Sequence, residues 1–112
     1  PENQLMTESM NFAIATVLTL DAVEKRGVLK NQLLRSSTSI GANIREAFYA
    51  HSKADFIAKL QIALKECSES EYWLELLIES GYHGDKTILD RCVEIKRILI
   101  SSINTAKEKT QK

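Results

Sequence analysis

The sequence predicts an all-α protein, an antiparallel up-down-up-down four-helix bundle. Three observations predict it. Apolar residues recur at three- and four-residue steps along almost the whole chain. The sole proline is residue 1, so nothing behind it interrupts a helix. Glycine and polar breaks at Gly27, His51–Ser52 and Gly81–Gly84 divide the pattern into four long segments with short connections, which makes sequence neighbours antiparallel in space.

Helix one is expected from Glu2 or Asn3 to Lys25. Met6, Met10, Ala13, Val17 and Leu20 form its central stripe, with Leu5, Phe12 and Val23 on a flank. Gly27 reads as its stop, with Lys25 and Arg26 placed favourably against the helix dipole. Helix two begins near Val28–Asn31 and ends near Ala50. Its core face is Leu33, Ser37, Ile40, Ile44, Ala47 and Phe48. Gly41 inside it costs about 1 kcal/mol relative to alanine, a cost met when a neighbouring helix packs close against Ser37 and Gly41.

Ser52-Lys53-Ala54-Asp55 reads as an N-cap with an acidic third position, opening helix three. That helix runs to Ser80 on a stripe of Phe56, Leu60, Ala63, Leu64, Cys67, Leu74 and Leu77, and Gly81 caps it. After the loop Gly81–Gly84, Asp85 caps helix four, whose stripe is Ile88, Cys92, Ile95, Leu99, Ile103 and Ala106. The polar tail Lys107–Lys112 is expected to fray.

At 112 residues the chain reads as one domain, residues 1–112. Hydrophobic residues at 44% and charged residues at 27% exclude disorder. With 15 basic and 15 acidic side chains the net charge is zero, which argues against strong non-specific nucleic-acid binding. No apolar run approaches the ~18–20 residues that span a bilayer. PENQLMTESM has neither the basic start nor the apolar core of a signal peptide, so the cytoplasm is the expected compartment and no membrane is an expected partner. If helices three and four turn at Tyr82–His83, Cys67 lies about seven residues, or ~10 Å, from Cys92 along the axis. Both cysteines are then expected as separate, buried free thiols.

Catalytic, cofactor and metal residues do not stand out. His51 and His83 fall in turns and neither has a second ligand at helical spacing, and no Glu-x-x-His motif exists. Glu66, Glu69 and Glu71 are expected on a solvated or salt-bridged face, because no nucleophile accompanies them. Glu71 lies nearest the core face and needs a partner, for which Asn31–Arg35 of helix two are candidates. Asn43 and Ser36 read as buried polar contacts that fix helix register. No small-molecule substrate is implied.

The apolar arc is too wide for an isolated bundle. Helix three carries a second stripe, Ile62, Trp73 and Leu76. Helix two carries an outer stripe of Arg35, Ser39, Ala42, Glu46 and Tyr49. Exposing all of this would make a small domain sticky, so self-association is the physical expectation. Trp73 and Tyr49 are its expected anchors, with Ile62, Leu76 and Ala42 beside them. Lys25, Arg26 and Lys30, with Arg35 and Arg45 further along, are candidates for a small phosphate-contacting patch.

The run from Leu33 to Leu77 also carries a resemblance. Its elements are Arg35-Ser36-Ser37, the stretch Ser39-Ile40-Gly41-Ala42-Asn43-Ile44-Arg45-Glu46-Ala47, then Asp55-Phe56, Lys65-Glu66 and Tyr72-Trp73-Leu74-Glu75-Leu76-Leu77. Together they resemble the bacterial four-helix-bundle proteins encoded by intervening sequences within 23S ribosomal RNA genes. The match is close over about Leu33–Tyr82 and extends to the flanking helices by pattern. That family is similar to the accessory proteins of diversity-generating retroelements, pentameric barrels that engage nucleic acid and a reverse transcriptase. The resemblance implies a homopentamer with no known enzymatic activity, no cofactor, and RNA or DNA as a partner class.

Overall fold

The computed structural model describes residues 2–21, 27–81 and 86–111. Their secondary structure is all α-helical: α1 (Glu2–Asp21), α2 (Gly27–Phe48), α3 (Lys53–Glu79) and α4 (Thr87–Gln111), with no strand among the described residues. The helices lie side by side in a body of 50 × 20 × 20 Å. Close backbone approaches join α1 to α2, α2 to α3, α3 to α4 and α4 back to α1, and among the described residues the diagonal pairs have none.

Local chemistry sets the best-defined boundary. Ser52 is extended (φ −152°, ψ 167°) and its hydroxyl accepts the Asp55 backbone N–H at 3.1 Å, so α3 opens on the expected cap. At its other end Ser80 N–H donates to Leu76 O at 3.0 Å and Gly81 N–H to Ile78 O at 3.1 Å. Gly81 then takes φ +85°, where a side chain would be strained.

Two boundaries differ from expectation. Gly27 is the first residue of α2 rather than the stop of α1. The expected end of helix one at Lys25 and the Asp85 cap both lie outside the described residues. The polar tail stays helical to Gln111, because Thr105–Gln111 holds alanine, lysine and glutamate and no helix breaker.

The core faces of α2 and α4 fall where periodicity puts them. Leu33, Ile40, Ile44 and Ala47 are buried on α2, and Ile88, Cys92, Ile95, Leu99, Ile103 and Ala106 on α4. Phe48, at the end of α2, is half-buried and stacks at a tilt on Phe56 with centroids 5.6 Å apart. On α1 the face is turned. Leu5, Ser9, Phe12, Thr16 and Leu20 are buried, while Met10 and Val17 of the expected stripe are exposed. Two hydroxyls can sit inside because each satisfies itself within the helix: Thr16 Oγ1 donates to Phe12 O at 2.9 Å and Ser9 Oγ to Met6 O at 3.2 Å. Gly41 faces Ser9 of α1, whose Oγ would stand 3.4 Å from a Cβ at that position, an ordinary contact.

Candidate functional site

Polar contacts mark the seam between α2 and α3. Ser70 Oγ donates to Ser36 Oγ at 2.8 Å, both fully buried, so Ser36 fixes register across helices as its position suggested. Asn43 does not; its amide donates to Ser39 O at 2.9 Å and to Ser39 Oγ, within its own helix. Arg35 Nη1 donates to Glu66 Oε2 at 2.9 Å and Nη2 donates to Glu69, while Nε reaches Gln32 at 3.4 Å. Lys59 pairs with Glu46 at 3.6 Å.

Two of the three carboxylates in the acidic cluster therefore belong to Arg35, and the third does not. Glu71 accepts from Lys96 of α4 at 2.6 Å, not from the α2 residues assigned to it by sequence. Helical phase explains the split. Glu66 and Glu69 share one stripe of α3, and Glu71 falls two residues, about 200°, beyond Glu69 on the flank toward α4. The hydrogen bond from Lys96 to Glu71 raises the Lys96 pKa above its ordinary value, with burial opposing.

Cys67 and Cys92 are both free and fully buried. They are not separated along the axis. Their sulfurs are 3.7 Å apart, and each also approaches the other's carbonyl oxygen, at 3.3 Å and 3.4 Å. A symmetric turn at Tyr82–His83 is thus the wrong ruler for the register of α4 on α3. Reciprocal S–H···O contacts between two small side chains let the helices meet closely here instead. The hydrogen bond with Cys67, with burial behind it, pushes the Cys92 thiol far above its usual range.

The candidate interface residues divide by exposure. Tyr49 is 80% exposed and Ile62 is 43% exposed, and Ala42 is exposed on α2. Trp73 and Leu76 are half-buried. Trp73 packs against the core and meets Tyr72 edge-on, with centroids 5.1 Å apart. Its indole N–H is buried with no hydrogen-bond partner among the described residues. Ile62, Glu66, Glu69, Trp73 and Leu76 follow one another at steps of four and three, so this second stripe runs along the flank that Arg35 reaches.

Sequence reasoning missed an exposed apolar face on α1. Met10, Ile14, Val17 and Leu18 of α1 are exposed, Leu18 by 66%. Beside them Met6, Ala13, Thr38, Ala42 and Arg45 line a groove of about 470 Å³ between α1 and α2. The signal was present in the sequence: α1 is apolar on nearly every side, so one of its faces had to be left over.

Three of the five candidate phosphate contacts lie among the described residues. Lys25 and Arg26 lie outside the described residues. Lys30 is half-buried. Arg35 is held by two carboxylates, and Arg45 is exposed ten residues further on, about 15 Å along α2. Among the described residues no cluster of three or more His, Cys, Asp or Glu could hold a metal ion, and no helix is long and apolar enough to cross a membrane.

A family model described as "23S rRNA-intervening sequence protein" matches residues 1–101. The chain belongs to this family. An S23 ribosomal protein family member of unknown function from Bacteroides thetaiotaomicron, solved by crystallography, is similar in both sequence and fold. It is 47% identical, with a TM-score of 0.87 over 92% of this chain and 97% of that one. No curated protein matches. The intervening-sequence family thus brings a shared bundle without an assigned activity, and neither the family nor the neighbour carries an enzymatic description.

Proposed function

We propose that this intervening-sequence family member is a non-enzymatic assembly subunit. It is a single-domain, antiparallel up-down-up-down bundle that builds a homo-oligomer in the cytoplasm and offers the assembled surface to a macromolecular partner. The pairings Ser36–Ser70 and Glu46–Lys59 support the antiparallel topology, because the α3 number falls as the α2 number rises. The observation that carries self-association is the exposed side of α1, where Met10, Ile14, Val17 and Leu18 form a second apolar face on a helix already buried on its first.

Tyr49, Ile62, Trp73 and Leu76 fit the same reading as the receiving surface, and Ala42, which lines the α1–α2 groove, belongs with the exposed side of α1. Two unlike faces on one subunit generate a closed ring when the angle between them suits the ring size. The α1–α2 face and the α2–α3 face share α2, so they stand at an angle to one another rather than back to back. A pentamer is what the resemblance to retroelement accessory proteins implies.

RNA or DNA is the proposed partner class on that resemblance alone, and two features argue for a weak or local contact. The net charge is zero, and Arg35 is committed to Glu66 and Glu69. Lys25, Arg26, Lys30, Arg35 and Arg45 are the residues proposed to meet phosphate, Arg35 only by exchanging its carboxylate partners for it. A purely structural or protein-binding bundle is the competing reading.

Sedimentation velocity at micromolar concentration tests the assembly. The expected result is a particle of several subunits that Ile14→Asp and Leu18→Asp reduce in mass while circular dichroism stays helical. A monomeric wild-type protein overturns the proposal. Titration with duplex and single-stranded RNA at two salt concentrations then separates the partner classes. A phosphate-driven complex weakens steeply with salt, and no complex at either concentration leaves the protein-binding reading.

A further inference from the structure

We propose that Cys67 and Cys92 are an oxidisable dithiol, a modification site at which a hydroperoxide joins α3 to α4 by a disulfide. Both side chains point into the same seam from facing helices, with sulfurs 3.7 Å apart and each touching the other helix's main chain. That spacing leaves under about 2 Å to close to the ~2.05 Å of a disulfide. A pair brought this close by neighbouring helices, in a chain with no other cysteine, has one possible partner each within the subunit.

The step balances with a hydroperoxide as the two-electron oxidant. One sulfur, as thiolate, attacks the terminal peroxide oxygen; an S–O bond forms, the O–O bond breaks, and the leaving oxygen takes up the proton as alcohol or water. The second sulfur then attacks the sulfenic sulfur; the S–S bond forms, the S–O bond breaks, and water departs with the second proton. The two thiols lose two electrons and the peroxide gains them. Proximity favours this second step over further oxidation of the sulfenic acid, because the resolving thiol is already in contact.

The site is guarded rather than poised. Both thiols are fully buried, and the hydrogen bond that Cys92 shares with Cys67 disfavours its thiolate. Beside them stands the Glu71–Lys96 ion pair, whose two charges act on the Cys92 thiol in opposite directions. Oxidation is therefore slow in the closed bundle and limited by opening of the α3–α4 seam. Once made, the bond closes that seam.

The test is to treat the folded full-length chain with hydrogen peroxide, then unfold it in denaturant with a maleimide and weigh it. The expected product has lost about 2 Da, takes no maleimide, yields a linked Cys67–Cys92 peptide, and reverts with dithiothreitol. Its melting temperature rises by about 5 °C or more. Cys67→Ala and Cys92→Ala should each keep the fold but give no intramolecular link, the remaining cysteine going on to sulfinic acid. Two maleimides on the treated wild-type chain would overturn the proposal. So would sulfinic acid without a link, a link formed only after unfolding, or an oxidised form that melts lower than the reduced one.

Discussion

The seam between α2 and α3 and the packing of α1 use different physics. Across the first, polar groups meet in pairs: Ser36 with Ser70, Arg35 with Glu66 and Glu69, Glu46 with Lys59. Each pair is satisfied in only one register, so the seam is specified as well as buried. α1 instead turns its buried hydroxyls to its own carbonyls, lays Phe12 into the core and approaches α2 closely where Gly41 lacks a side chain. A helix held that way can be apolar on both sides, and the side left over is free to meet another subunit. The difference teaches that polar pairs define how α2 sits on α3, whereas α1 is buried on one side and leaves an apolar side exposed, the side proposed above to meet another subunit.

The sharpest way to break this comparison is to truncate each side of α1 separately. Phe12→Ala removes a fully buried ring and should cost about 3–5 kcal/mol in denaturant unfolding. Ile14→Ala, half exposed, should change subunit stability by under about 0.5 kcal/mol yet lower the particle mass. If the two costs come out equal, α1 does not have two functional sides.

The same contrast explains what the sequence could reveal. On α2 and α4 polar residues occupy one side, so spacing alone finds the buried face. On α1 apolar residues occupy nearly every side, and a stripe through Met10 and Val17 reads as well as the true one through Leu5, Phe12 and Leu20. Ser9 and Thr16 count as outward in any hydropathy reading, yet an i−4 or i−3 carbonyl removes the cost of burying them. The meeting of Cys67 with Cys92 was hidden for another reason. It depends on how far α4 is slid along α3, a quantity that neither periodicity nor connection length determines. Glu71 was assigned the wrong helix because a residue near the core edge can turn to either neighbour.

Gly41 tests the close approach. Gly41→Leu should overpack the contact with Ser9 and cost on the order of 1–3 kcal/mol. Gly41→Ala is the control: its Cβ at 3.4 Å from Ser9 Oγ is ordinary contact, and alanine favours a helix by up to ~1 kcal/mol, so its midpoint should stay level or rise. A leucine variant that melts like the wild type would put Gly41 at an open position and remove the reason for its presence.

Ser36 and Ser70 sharpen the other half of the comparison. Ser36→Ala leaves the buried Ser70 hydroxyl without its acceptor, and Ser70→Ala leaves Ser36 Oγ only its bond to Leu33 O at 3.3 Å, whereas the double variant has neither hydroxyl. A double-mutant cycle should therefore return a coupling of about 1 kcal/mol. A coupling near zero would mean that water or the parent carbonyl satisfies each serine alone, and the α2–α3 seam would owe its register to shape.

The smallest expected effect concerns the remaining seam, α3 against α4, where one ion pair lies beside the thiols. The hydrogen bond to Glu71 raises the Lys96 pKa in the folded protein above its unfolded value of about 10.4. A raised lysine pKa adds stability that is fully present below the unfolded value and is lost as pH rises through the folded one. Both side chains keep some solvent contact, so the contribution is on the scale of a partly exposed pair, roughly 0.5–1 kcal/mol. Lys96→Met with Glu71→Gln removes the pair without stranding either charge. The stability of wild type over this double variant should hold constant from pH 7 to about 10 and shrink above it. Contributions common to both proteins cancel in the difference. A difference that stays flat to pH 11 would mean that Lys96 contributes through the packing of its stem, and the α3–α4 seam would then resemble α1 rather than the α2–α3 seam.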